Sequence, residues 1–262
     1  MTYSTLQLDA AAPGVVVIAM NRPQAMNAMN TAMMTDLRDC FAGYYVDQGA
    51  ARCLILTGAG DKAFCAGADL KERNGMSEDT WRRQHAVVEQ AMRAVMNCPL
   101  PIIAAVNGAA YAGGCELALG CDFIYAAEHA RFAQTEVALG IIPGAMGTQN
   151  LPRAVGARRA KEVILTATPF TAAEALAWGL ANRVLPGEKL MAEAIATAER
   201  IAANAPIAVR QAKKSMSASQ DLGRADGYSF EIEAYNLTVD SDDRHEGIRA
   251  FNEKRKPQFK GK

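Results

Sequence analysis

Apolar runs of five to seven residues, the length of a strand, alternate along the first two-thirds of the chain with longer stretches in which apolar positions recur every three or four residues. Residues 5–8 and 14–20 predict two strands joined by a Pro13-Gly14 turn, the second closed by Asn21-Arg22-Pro23. Met33, Met34, Leu37, Cys40, Phe41 and Tyr44 mark one face of a helix over 30–49, capped by Asn30 or Thr31 and stopped by Gly49. Residues 52–57 read as a buried strand that runs into the loop Gly58-Ala59-Gly60. Residues 64–70 are too rich in small side chains for an ordinary helix or strand. A helix follows over 77–97, then a strand over 102–106. The chain breaks at Asn107-Gly108 and Gly113-Gly114 before an apolar run with Glu116 in its middle.

Beyond Gly147 the pattern turns helical. Helices are predicted over 156–165 and 171–178, the latter with Thr171 and Glu174 at capping-box spacing, and a short strand over 183–185. Four further helical stretches cover 188–203, 206–218, 221–238 and 243–254. Interleaved strands and helices predict an α/β core. The change near residue 200 divides the chain into an α/β core over 1–200 and a helical subdomain over 201–262.

Composition narrows the function classes. Half of the 262 residues are hydrophobic, and 28 basic residues balance 28 acidic ones, so no global field draws in nucleic acid or an anionic membrane. No apolar run reaches the length of a membrane span. Residues 15–20 follow Pro13-Gly14 without a basic segment, which reads as a strand and not as a signal peptide. The six cysteines form no C-x-x-C pair and read as buried free thiols of a reducing, cytoplasmic compartment. His85, His129 and His245 lie in polar surroundings, read as surface residues, and suggest no metal site.

The candidate chemistry lies in two acids. Glu116 follows the glycine pair, and Glu136 stands between Phe132-Ala133 and Val137-Ala138-Leu139. Burying an unpaired charge costs several kcal/mol. Gly113-Gly114 ahead of a helix leaves its first N–H groups unpaired, and Ala66-Gly67-Ala68 can supply another donor. Two such donors converging on a carbonyl oxygen, with two carboxylates orienting a water, suit addition of water beside an activated carbonyl. The alternative is purely structural: both glutamates cap helices or pair with remote arginines.

A set of motifs in fixed order bears on that choice. Asn21-Arg22-Pro23 with Asn27, then Cys65-Ala66-Gly67-Ala68-Asp69-Leu70-Lys71, Ala105-Val106-Asn107-Gly108, Gly113-Gly114-Cys115-Glu116-Leu117-Ala118, Cys121-Asp122 and Gly140-Ile141-Ile142-Pro143-Gly144 together resemble the crotonase (enoyl-CoA hydratase/isomerase) superfamily over essentially the whole chain. The resemblance implies a spiral core of repeated ββα units and a C-terminal helical trimerisation subdomain, two trimers forming a hexamer. It implies that Ala68 and Gly113 hold the thioester oxygen. Glu116 and Glu136 correspond to the two catalytic glutamates of syn hydration of a 2-enoyl-CoA, in fatty-acid or branched-chain acyl breakdown. CoA, entering with the substrate and not as a separate cofactor, is expected along Arg22, Ala25, Asn27, Ala66, Asp69, Leu70 and Lys71. Phe251 and Lys254 are expected to reach a CoA held by a neighbouring subunit.

Two departures stand out. Met146 takes a usual glycine position and is expected to reshape the acyl pocket, and Tyr111-Ala112 replaces the commoner Leu-Gly. Within the superfamily, residues 64–73, 151–154 and 250–255 look most like the methylglutaconyl-CoA hydratase/AU-rich-RNA-binding group. The helix over 31–49 carries Asp36, Arg38, Asp39 and Asp47 and no lysine, a net acidic face that argues against RNA as a partner. The competing expectations are an enoyl-CoA isomerase or hydroxyacyl-CoA dehydratase of the same superfamily and, from another class, a catalytically lapsed RNA-binding or structural homologue.

Overall fold

The computed structural model describes residues 2–262. A hairpin, β1 (Leu6–Ala12) and β2 (Val15–Met20), leads into α1 (Thr31–Val46). Three units then repeat one plan: a long strand, a three-residue strand, and a helical segment. The first is β3 (Cys53–Gly58), β4 (Ala63–Cys65), α2 (Leu70–Arg73) and α3 (Glu78–Met96). The second is β5 (Ile102–Val106), β6 (Ala109–Tyr111) and α4 (Gly113–Leu119). The third is β7 (Phe123–Ala127), β8 (Arg131–Ala133) and a 3-10 turn over Glu136–Leu139. After α5 (Gly147–Val155) and α6 (Ala157–Thr166) come β9 (Phe170–Thr171), α7 (Ala172–Ala177), β10 (Arg183–Leu185) and α8 (Gly187–Ala202). The chain closes with α9 (Pro206–Ala218), α10 (Arg224–Val239) and α11 (Asp242–Asn252).

The long strands form a six-stranded sheet in the order β1-β2-β3-β5-β7-β10, parallel from β2 onward. The short ones form a second sheet, β4-β6-β8-β9. Each unit steps from the first sheet to the second, so the three wind as the expected spiral. β3 and β5 are buried along their whole length, which is why they read as continuous apolar runs and not as alternation. α8 lies against β3, β5 and β7, while α1 and α3 pack on each other.

Local chemistry sets most helix starts. Asn30 accepts from the Met33 amide and Ser77 from that of Thr80. Thr171 and Glu174 form the capping box anticipated from their spacing. Several elements differ from expectation: β1, expected over 5–8, runs to Ala12, and the short α2 was not anticipated. α1 ends at Val46, three residues early, and α5 was unanticipated because Pro152 lies inside it. The three-residue strands of the second sheet were also illegible, being too short to show a period. All six cysteines are free, and five are buried.

The last helices are sparsely covered. α9 has no buried residue and α10 only Ala234, while Met216, Tyr228, Tyr235 and Leu237 are exposed. Asp243 accepts the amides of Lys260 and Gly261, and Glu246 is bound by Arg249, Arg255 and the Gln258 amide, so the C-terminal tail is strapped onto α11.

Candidate active site

Close backbone approach assembles the centre of the site. A Cβ on Gly114 would stand 2.0 Å from the Cys65 carbonyl oxygen, so only glycine lets α4 begin against β4. The same contact brings two loops together: a Cβ on Gly67 would lie 3.4 Å from the Gly113 nitrogen. Gly113 is the first residue of α4, and its N–H has no intrahelical acceptor. Ala68 forms a single parallel bridge with Met29. In that bridge Met29 N–H donates to Gly67 (2.7 Å) and Asp69 N–H to Met29 (3.0 Å), which leaves the Ala68 N–H outside the ladder. Ala112, between the loops, holds φ +51°, a costly conformation for alanine.

Two carboxylates face the same space in different surroundings. Glu116, 2 % exposed on the first turn of α4, accepts the amides of Ala145 (2.8 Å) and Gly147 (2.7 Å) on Oε1. The intervening Met146 is in the left-handed region (φ +75°), so these three residues form a backbone nest around an anion. Burial raises the Glu116 pKa, and the two amides pull against that rise. Glu136 is 6 % exposed at the head of the 3-10 turn, and its Oε2 has no hydrogen-bond partner. Burial, and secondarily the charge of Glu116, push its pKa up to about 7. Neither glutamate forms an ion pair among the described residues, and the structural alternative of glutamates locked to arginines does not hold.

Both carboxylates open onto a cavity of about 570 Å³ that Ala66, Ala68 and Gly113 also line. Its far wall is apolar: Val88 from α3, Leu139 from the 3-10 turn, then Ile141 and Ile142. Trp81, His85 and Val88 recur at i, i+4 and i+7 and present one face of α3 to the cavity. Arg73 lies 4.4 Å from the Trp81 ring centre and donates to Gln84 (2.8 Å). Sequence reasoning missed this wall, although the α3 spacing was available as a signal. His85, expected at the surface, is half-buried and lines the cavity, a correction that follows from its place on that face.

Of the other anticipated residues, Leu70 lines the cavity, and Arg22 and Asp69 pair with each other at 2.9 Å. Asp69 also caps α2, and Arg22 donates to the Ala28 carbonyl. Asn27 requires correction as a substrate contact. It is 1 % exposed and its side chain is consumed by Arg22 N, Ala59 O and Ala63 O, so it frames the loop. Met146 requires correction too: its exposed side chain is not in the cavity wall, and its backbone carries the nest instead. Ala25 lies on the 3-10 turn Pro23–Ala25, Lys71 is exposed on α2, and Phe251 and Lys254 are exposed at the end of α11, away from the cavity.

The family model described as enoyl-CoA hydratase/isomerase matches residues 10–262. A mitochondrial enoyl-CoA hydratase of Pongo abelii is 42% identical over 247 residues, covering 94% of this chain and 83% of that protein. A crotonyl-CoA hydratase of Syntrophomonas wolfei is 41% identical over 261 residues, covering 99% of each. The crystal structure of an enoyl-CoA hydratase from Bacillus anthracis superposes with a TM-score of 0.97 at 45% identity, covering 99% of this chain and all of that one.

Proposed function

The chain belongs to the enoyl-CoA hydratase/isomerase family, and we propose that it adds water across the 2,3 double bond of 2-enoyl-CoA thioesters. One observation carries the reading: two buried carboxylates without an ion pair among the described residues share a cavity with two unbonded main-chain amides. The Ala68 and Gly113 amides grip the thioester oxygen and take the charge of the enolate. Glu116, whose anion the two nest amides favour against burial, receives a proton from the water whose oxygen bonds to C3. Glu136, which retains its proton near neutrality, delivers one to C2. One proton then returns from Glu116 to Glu136 through solvent. No cofactor beyond the CoA of the substrate enters.

Two finer readings belong here. Arg73 forms no ion pair among the described residues and reaches the cavity from α2, so a tail ending in a carboxylate suits the site, as in the methylglutaconyl-like group that the sequence resembles. The exposed apolar residues of α9 and α10 suit a homo-oligomer, a trimer or dimer of trimers, in which Phe251 and Lys254 reach a neighbour's CoA. No helix among the described residues is long and apolar enough to cross a membrane. The test is the loss of the 2-enoyl absorbance on hydration of crotonyl-CoA. Turnover of 3-enoyl-CoA alone would replace this reading by isomerisation, and no turnover of either would end it. Light scattering reports the oligomer.

A further inference from the structure

One cation reaches the substrate cavity and has no part in the chemistry at the two glutamates. Arg73, half-buried at the end of α2, donates its Nε–H to Gln84 Oε1 at 2.8 Å and lies over the Trp81 ring. Its two Nη groups have no acceptor among the described residues. Burial weighs against this charge and lowers the Arg73 pKa. A guanidinium so placed is costly unless something brought into the cavity supplies its counter-ion.

The acids nearest in sequence are held elsewhere. Asp69 caps α2 and pairs with Arg22. Glu72 adjoins Arg73, but adjacent positions on a helix do not face each other. Its Oε2 accepts the Thr31 amide at 2.8 Å and Gln84 Nε2 at 2.7 Å. Gln84, 6 % exposed on α3, also donates to Thr31 Oγ1 at 2.8 Å. A neutral amide thus stands between Glu72 and Arg73, its oxygen on the cation and its nitrogen on the anion. These partners fix which end is which, since the reverse would set donor against donor and acceptor against acceptor.

We propose that Gln84 is a positioning residue that sets acyl specificity: it holds Arg73 by Nε, apart from Glu72, and leaves the Nη edge to a carboxylate at the far end of a 2-enoyl chain. The planar fork matches such a group with two parallel N–H···O bonds. Position along α3 limits the length of that chain. His85 packs on Gly144, one residue before the nest around Glu116. Trp81, beneath Arg73, lies one turn further along the helix, about 6 Å away. The subsite therefore suits a short dicarboxylic acyl group and not a long chain.

The inference rests on the hydratase reading and on the carboxylate-ended tail suggested with it, and its test separates the three. Hydration is followed for two matched pairs of 2-enoyl-CoA thioesters, pentenoyl with glutaconyl and hexenoyl with hexenedioyl. Within each pair only the terminal methyl is exchanged for a carboxylate. The wild type is expected to favour the carboxylate member of at least one pair about tenfold or more in kcat/KM. Gln84→Met removes the spacer and is expected to cancel most of that preference, by raising KM for the dicarboxylic thioester about tenfold with kcat within about threefold. Gln84→Glu keeps the shape, sets an anion on Arg73, and is expected to reverse the preference. A merely structural glutamine would lower both members of a pair alike, and an unmoved ratio in these variants overturns the proposal. Arg73→Lys, which keeps the charge without the fork, serves if neither glutamine variant folds; it is expected to lose most of the preference, and an unmoved ratio there overturns the proposal equally. A wild type that hydrates each methyl-ended thioester as well as its partner overturns both the proposal and the carboxylate-ended tail, while hydration stands. A wild type inactive on every 2-enoyl thioester would sink the hydratase reading itself.

Discussion

Glu116 and Glu136 are the same side chain in one cavity, and burial raises the pKa of both, yet the two segments that hold them meet the charge with different backbone. The first turn of α4 sets Glu116 against the amides of residues 145 and 147, which reward the anion. The 3-10 turn leaves Glu136 Oε2 without any donor, so burial and its neighbour's charge favour the protonated form. The difference is made by backbone, since no cation is involved. A pair of identical acids can thus divide into base and acid without a single arginine or histidine, provided that the backbone amides and the neighbouring charge act on them unequally.

The largest way to break the comparison is to neutralise either member. Glu136→Gln and Glu116→Gln are each expected to lower kcat by about 10²–10⁴-fold with little change in acyl-CoA affinity. Near-normal turnover in either would show that the division of labour is not used. Gly147→Ala comes next, because its Cβ would press on the Glu116 oxygen at 2.8 Å. A loss of about 1–3 kcal/mol in denaturant unfolding, together with a raised acid limb of kcat/KM, is expected.

A third measurement concerns stability. The folded Glu136 pKa of about 7 lies above the ordinary glutamate value, so the native state binds more protons than the unfolded one between about pH 4.5 and 7. Stability from this group therefore falls as pH rises through that window and stays lower above it. Glu136→Gln should stabilise the protein by about 1–3 kcal/mol at pH 8 and by much less at pH 5. An equal effect at both would remove the claim that the site keeps this proton. The smallest effect is at Met146, whose left-handed backbone costs a non-glycine residue about 1 kcal/mol. Met146→Gly should raise the melting temperature by about 2–4 °C and leave the nest intact, with unchanged kcat as the control.

Much of this was legible along the chain, and the reasons are local. Asn30 and the Thr171–Glu174 box announced their helices because a cap acts on amides two or three residues away. β3 and β5 announced themselves because strands covered on both faces must be apolar throughout. Glu116 and Glu136 stood out as acids in apolar runs. β4, β6 and β8 did not, since three residues display no period, and α5 was hidden by Pro152. Asn27 and Met146 were assigned to the substrate from motif position alone, and the backbone around each claims it for a different purpose.

The sequence by itself determined the long strands and the capped helices, marked Glu116 and Glu136 as acids in apolar runs, and placed the glycines where two backbones touch. Only the tertiary structure decided that the amides of 145 and 147 close on Glu116 and not on Glu136, and that one face of α3 becomes a cavity wall. Propensity and capping act over a few neighbouring residues. The field at a buried carboxylate is summed over whatever the fold brings within hydrogen-bonding distance, here from thirty positions further along the chain.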